Sequence, residues 1–225
     1  MRFLLLIILL FGFSHAAGAL TKITKIEGSV KVLKAGEIKK SDAAQDQDIF
    51  EGDMVITEAA SMASVLFVDQ SKVVLDEKAK LKLEGFDKLA QEGGKVFYSI
   101  KKRGAQGLKV ATNFAVIGVK GTKFLISDDE KNRQVSLKEG LVGVQSLKEE
   151  FELHRKQEMD EYEAYKREMA GEFEEYKKEL EKEFVEFVKE FDLQPNKTIS
   201  FDGNKVSEEA SLEDIAKEFS RFESF

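Results

Sequence analysis

The stretch Asn113 to Ser127, reading NFAVIGVKGTKFLIS, constrains this chain more than any other. It is apolar and β-type almost throughout, interrupted only by Gly118 and by the step Lys120-Gly121-Thr122. A run of β-branched and aromatic residues bounded by polar turns predicts strand buried on both faces, and glycine inside such a run marks a bend or a close backbone approach. The stretch therefore reads as two short buried strands meeting at a glycine corner. Gly118 and Gly121 shape the backbone there, while Ala115, Val116, Val119, Phe124 and Ile126 supply packing.

The surrounding sequence has the same character. Residues 20–145 are rich in Val, Ile, Phe and Thr, with clear alternation in Ser29-Val30-Lys31-Val32, in Lys80-Leu81-Lys82-Leu83 and around Val135 and Leu137. Breaks fall at Gly36, Glu51-Gly52-Asp53, Asp69-Gln70-Ser71, Gly93-Gly94, Gly104 to Gly107, Asp128 to Asn132 and Glu139-Gly140. Short strands at regular spacing with turn signals between them predict a mainly β domain, an antiparallel sandwich or roll.

At Ser146 the composition changes. From Leu147 to Phe191 there is no proline and a single glycine, Gly171, and Glu and Lys fill the positions between aromatic residues. An 11-residue repeat begins at Phe151, Tyr162, Phe173 and Phe184. Steps of three and four residues place Phe151, Tyr162, Tyr165, Met169, Phe173, Tyr176, Leu180, Phe184, Phe187 and Phe191 on one helical face, and Glu152/Lys156, Glu163/Arg167 and Glu174/Lys178 pair at i,i+4. This predicts a long amphipathic helix over 146–192, about 65 Å in length. A domain of this size has a radius of gyration of only about 14 Å, so part of that aromatic face calls for a second copy, a partner, or a break near Gly171.

After Pro195 the pattern predicts a small hairpin around Asp202-Gly203 and a short last helix through Phe222, opened by a capping box at Ser211 and Asp214. The expected organisation is a leader over 1–19, a β domain over 20–145, the helix over 146–192, and a C-terminal piece over 193–225 that docks on something already folded.

The leader is read from Met1-Arg2, the apolar Phe3 to Phe13, and the small residues around Ser14 to Ala19. One basic residue, a short apolar core and Ala-x-Ala-like sites describe a secretory signal peptide, cleaved after Ala16 or Ala19; an uncleaved anchor is the alternative. The chain has no cysteine, which removes lipoprotein attachment, disulfides, thiol catalysis and thiolate metal sites together. The expected location is periplasmic or secreted, with no membrane span in the mature chain. A net charge of -7, with no unopposed Lys/Arg cluster, argues against nucleic acid.

Catalytic material is scarce. His154 is the single histidine after the leader, and the sequence around it offers neither nucleophile nor orienting partner, so it reads as a surface or interface residue. No Gly-x-Ser-x-Gly occurs. Asp128-Asp129-Glu130 lacks the ligand spacing of a calcium loop and reads as a hairpin turn. Gly93-Gly94 and Gly118-x-x-Gly121 are strand corners, because no helix N-terminus follows to hold a phosphate. Lys101-Lys102-Arg103 is a local basic patch, either a solvated turn or a contact for an acidic partner. No catalytic residue, metal site or cofactor is expected.

The β region resembles the FecR domain family. The matching features are Gly52-Asp53 with Thr57; Ser61, Ala63, Val65 and Phe67 leading to Asp69-Gln70-Ser71; Ala79 to Leu83; Gly94-Lys95-Val96; Val110 to Thr112 running through Ala115-Val116 to Gly121-Thr122-Lys123-Phe124; and Val135-x-Leu137-x-Glu139-Gly140-x-Val142. The resemblance covers roughly 25–145 and implies a β-rich, FecR-like periplasmic module that is not an enzyme. Its structural motif falls on Gly52, Asp53, Asp69, Gly118, Gly121, Thr122, Glu139 and Gly140. Gln70 stands where the family usually has glycine, and Lys120 where it usually has arginine. In classical members the domain follows a cytoplasmic anti-sigma segment and a membrane span and relays the state of an outer-membrane iron transporter. Here only the leader precedes it.

The expectation is thus an exported non-enzymatic binding or scaffold protein of the cell envelope. The β domain docks a protein partner, and the helix gives reach or homo-oligomerisation. The alternatives are a transmembrane signalling component anchored by an uncleaved N-terminal helix, and an accessory to a cell-wall enzyme.

Overall fold

The structure is a computed structural model that describes residues 19, 21–104, 107–130, 132–156, 161–172, 175, 183–209 and 213–225. In the first half, strands follow one another at short intervals: β1 (Thr21–Glu27), β2 (Val30–Leu33), β3 (Ser41–Asp42), β4 (Asp48–Ile49), β5 (Met54–Thr57), β6 (Met62–Phe67), β7 (Lys72–Leu75), β8 (Lys80–Leu83) and β9 (Lys88–Ser99). Then come β10 (Leu108–Ala111), β11 (Ala115–Val119), β12 (Lys123–Asp128), β13 (Arg133–Glu139), β14 (Val142–Ser146) and β15 (Phe151–Lys156). Helix α1 (Glu161–Met169) precedes β16 (Glu183–Val188), β17 (Glu190–Leu193), β18 (Lys197–Asp202), β19 (Lys205–Glu209) and a C-terminal helix α2 (Glu213–Ser224).

These strands form two layers. The first sheet runs β4-β1-β6-β7-β9-β12-β13-β18-β19-β15-β16, and the second runs β3-β2-β5-β8-β9-β10-β11-β14-β17. Pairing is antiparallel except between β9 and β10 and between β15 and β19. Strand β9 belongs to both layers: Lys88 to Gly93 pair with β8 and β10, and Gly94 to Ser99 pair with β7 and β12. The transfer occurs at Gly94, where φ is +77° and a Cβ would lie 2.4 Å from Cα of Ala79. Only glycine turns the strand there without a clash.

Alternation then fills the space between the layers. Tyr98, Phe124, Ile126 and Val135 from the first sheet meet Leu81, Leu89, Ile117 and Val144 from the second in one continuous core. Each such buried side chain contributes roughly 2 kcal/mol. Tyr98 stacks on Phe124 with centroids 4.7 Å apart, and its hydroxyl donates to Oε1 of Gln91 at 2.9 Å. Gln91 in turn donates from Nε2 to the carbonyl of Gly94 at 2.8 Å. The only route for a phenol into this core is with its hydroxyl bonded. Burial first, and the nearby Asp128 second, push the Tyr98 phenol well up from its ordinary range, so it stays a donor.

Asn113 to Ser127 becomes β11, a corner and β12, and the two strands differ. β12 is buried on both faces, since Phe124 and Ile126 enter the main core while Leu125 packs under α2. β11 buries Ala115, Ile117 and Val119 but leaves Val116 and Gly118 half-buried on the outer surface. Both-face burial thus holds for one strand of the pair; β11 has no covering element among the described residues.

The single helix expected over 146–192 is not what the chain builds. Phe151–Lys156 is strand, helix is present over Glu161–Met169, and Glu183–Val188 and Glu190–Leu193 are strands again. The reason lies in the open edges of both sheets. β14 offers unpaired backbone that β17 satisfies, and the β18–β19 hairpin extends β13 and offers an edge to β15. Phe and Val favour a pleated half-buried surface, so tertiary pairing overrides helical spacing. The Asp202-Gly203 hairpin forms as β18–β19, and the last helix as α2. Residues 1–18 of the leader, Phe173, Tyr176, Leu180 and the capping residue Ser211 lie outside the described residues.

Candidate interaction surface

The motif residues of the β region act as staples between backbone segments. Asp53 is buried and its carboxylate accepts from the backbone N–H of Ala35 at 2.9 Å and of Phe50 at 3.0 Å, closing the loop opened at Gly52. Thr57 accepts from the N–H of Ala79 at 2.9 Å and donates to the carbonyl of Asp76. Thr122 exchanges backbone bonds with Ile100, at 2.9 and 3.1 Å, so the β11–β12 corner is tied to the end of β9. At Gly121 φ is +90°, and a Cβ would stand 3.0 Å from Cα of Lys102. Glu139 pairs with Lys123 at 3.1 Å across β12 and β13, Gly140 follows in the turn to β14, and Gly118 faces Gly143 across β11 and β14.

The basic triplet divides. The Arg103 side chain is only 6 % exposed: Nε donates to Asp69 at 2.6 Å, and the guanidinium lies over the rings of Phe86 (4.2 Å) and Phe67 (5.3 Å). Lys101 and Lys102 remain exposed. Asp69 also accepts from the N–H of Ser71 at 2.9 Å. Burial pushes the Asp69 carboxyl up, but the bonds from Arg103 and Ser71 together outweigh burial and hold it below the usual carboxylate range. The intervening Gln70 keeps the turn with φ of +66°, in the left-handed region that glycine adopts more easily.

Asp128 is buried rather than solvated, and Oδ2 accepts from the side-chain amide of Asn113 at 3.1 Å and from its backbone N–H at 3.3 Å. Burial is the dominant effect and raises the Asp128 carboxyl, opposed by Asn113 and Arg133. Asp129 closes the β12–β13 hairpin by accepting from the N–H of Asn132 at 2.7 Å. Among the described residues no three His, Cys, Asp or Glu side chains gather as metal ligands. His154 sits on β15 with Nε2 2.8 Å from Glu152.

The aromatic stripe is scattered over several elements. Phe151 is buried in β15, edge-on to the half-buried Phe191 of β17 at 5.8 Å. Tyr165 and Met169 are exposed on α1, where Tyr162 also falls. On β16, Phe184 is 60 % and Phe187 66 % exposed, with Val185 beside them also exposed. Among the described residues β16 pairs with β15 alone, so these apolar side chains stand at the end of the first sheet. On the second sheet's outer face, a trough of about 600 Å³ is lined by Lys109, Gly118, Gly143, Gln145, Glu190 and Asp192. The pairs Asp69–Arg103 and Asn113–Asp128 carry no local sequence signal, because each joins residues from different turns.

No described helix is long and apolar enough to cross a membrane. The described residues thus form a two-layer β module whose motif residues staple loops, with Phe184 and Phe187 exposed on the end strand β16. Residues 53–143 match the family model described as FecR protein. Two crystal structures of a candidate anti-sigma factor from Parabacteroides distasonis, at 1.65 and 2.50 Å resolution, are similar with 14 % identity and a TM-score of 0.48. The similarity covers 72 % of this chain and 62 % of theirs. No curated protein matches the chain.

Proposed function

We propose that this chain is an exported, non-enzymatic binding protein of the cell envelope, in which the FecR domain is the scaffold and the 146–192 segment provides the contact with a protein partner. The observation that carries the reading is the exposed pair Phe184 and Phe187 on β16 at the end of the first sheet. An end strand with apolar side chains is a ready template for strand addition from another chain. The leader composition supports a periplasmic or secreted location, and the same surface serves a second copy if the protein self-associates.

The test uses the full chain. Affinity capture from its own envelope, with sedimentation analysis of the purified protein, is compared between wild type and a Phe184→Ser/Phe187→Ser variant. Loss of the captured partner or of a higher mass in a folded variant is the expected result. An unchanged complex in that variant would exclude β16 as the contact.

The FecR match favours a second reading, in which the N-terminal segment stays attached and the domain works in transmembrane signalling. Intact-mass measurement of the exported protein separates the two: a mass starting at residue 17 or 20 supports the free binding protein, and a full-length mass supports the anchor.

A further inference from the structure

Val74, Phe97 and Leu125 occupy one cross-strand row of the first sheet, on the face turned away from the main core. Ser64 continues the row on one side and Ser136 on the other, so the apolar strip is three strands wide with polar ends. The strip packs with Phe219 and Phe222 of α2, and with Ile215 and Phe225 at the margin, as a cluster separate from the main core. Phe97 stacks on Phe222 with centroids 5.8 Å apart and planes 5° apart, and meets Phe219 edge-on at 5.8 Å.

Lysines surround this strip and glutamates face them from the helix. Lys95 pairs with Glu218, Lys123 and Lys138 reach Glu223 at 3.3 and 2.9 Å, and Lys25 lies 4.1 Å from the centroid of the Phe225 ring. One pair runs in the opposite sense, Arg221 with Asp76. The sheet face thus presents an apolar strip with a basic rim, and what lies on it is an acidic amphipathic helix with aromatic anchors three residues apart.

The attachment is modest for a structural element. Helix α2 has 12 residues, a length that is marginal in water without tertiary support. Two aromatic side chains provide its main anchorage, and most of the ion pairs are partly exposed, where they add little. A cavity of about 430 Å³ remains beside it, lined by Leu137, Lys138, Thr198, Ile215 and Phe219 among others, so the helix does not fill the face it covers.

We infer that this face of the FecR domain is a helix-docking groove with α2 as its resident occupant. It receives, in exchange for α2, an acidic amphipathic helix from a protein partner with two aromatic anchors at i and i+3. Helix-in-groove recognition uses this arrangement of anchors along one helical face. The site is distinct from the β16 surface, and either can fail without the other.

The experiment uses the full chain with Phe219→Asp/Phe222→Asp to free the groove, and a fluorescein-labelled peptide of residues 213–225 as the probe. The expected result is binding to the variant at least about tenfold tighter than to wild type. A peptide with Glu218→Lys/Glu223→Lys should bind that variant more weakly, because it sets like charges against Lys95, Lys123 and Lys138. Failure of the peptide to bind a folded variant, equal binding to both proteins, or a preference of the variant for anionic phosphatidylglycerol vesicles over the peptide would each overturn the inference. Hydrogen exchange on the wild-type protein tests it without any substitution: α2 amides should exchange faster than those of β9 and β12. Exchange of α2 only together with those strands would overturn it equally.

Discussion

Asp69 and Arg103, 34 residues apart, form a largely buried ion pair in which the guanidinium also lies against Phe86 and Phe67. The pair fastens the β6–β7 turn to the segment after β9. Removing one partner leaves the other charge desolvated, so Asp69→Ala should cost about 3 kcal/mol in urea unfolding. Arg103→Lys should cost less but still measurably, because lysine keeps the charge and loses the planar fork. Because the Asp69 carboxyl is held below its unfolded value, its contribution is complete above about pH 4 and fades as pH falls through the folded value. Equal acid sensitivity of wild type and Asp69→Ala would contradict this.

Asp128 titrates with the opposite sign. Its folded carboxyl is raised, mainly by burial, so its contribution is present at low pH and is lost as pH rises from about 4 through the folded value. In an Asp128→Asn variant the side-chain amide stays neutral at every pH and still accepts from Asn113 through its oxygen. Unfolding midpoints of that variant, relative to wild type, should therefore improve as pH rises through that window. Parallel pH profiles would show that Asp128 is not the titrating group.

Thr57→Val keeps the shape of the side chain and removes its oxygen. The Ala79 N–H and the Asp76 carbonyl then lose their partner within a buried setting. A loss of about 2 kcal/mol is expected by chemical denaturation. A change within the error of the measurement would mean that water replaces the hydroxyl.

Gly121→Val should prevent folding or destabilise by at least about 2 kcal/mol, since a β-branched residue at φ of +90° is strained and its Cβ would press on the Lys102 backbone at 3.0 Å. Thermal melting followed by circular dichroism checks this. A soluble variant with an unchanged melting temperature would remove Gly121 as the hinge of the β11–β12 corner.

Gln70→Gly is expected to stabilise. The residue sits at φ of +66°, which costs a non-glycine residue about 1 kcal/mol, partly offset by the greater unfolded freedom of glycine. A gain of about 0.5 kcal/mol in urea unfolding is the expected outcome. A loss would indicate that the Gln70 side chain contributes contacts that outweigh the strain.

Much of the β region was legible as sequence because its signals are local. Alternation such as Lys80 to Leu83, and punctuation at Gly93-Gly94 and Lys120-Gly121-Thr122, depend only on the period of a strand and the sterics of a corner. They predicted strands and corners where β8, β9, β11 and β12 form. The hairpin around Asp202-Gly203 was readable for the same reason. Within the candidate surface, Phe184 and Phe187 are exposed on a strand while Phe151 of the same repeat is buried, so the repeat does not present one aromatic face.

Strands and turns in the described part of 20–145 follow from local pattern in the sequence by itself; Gly52, Gly121 and Gly140 take positive φ, whereas Gly118, expected to shape the corner, lies within the regularly paired β11. Tertiary structure decided what the aromatic repeat after Ser146 becomes. Residues such as Phe151, Phe184 and Val188 suit one face of a helix and a pleated sheet alike, and the choice went to strand where β14 and β19 had edges to pair. It also decided why Leu125 is buried on the side away from the core, because that depends on Phe219 and Phe222 arriving from the far end of the chain. Backbone hydrogen bonds at a sheet edge and apolar contacts across a sheet face are non-local, so no window of sequence contains both partners.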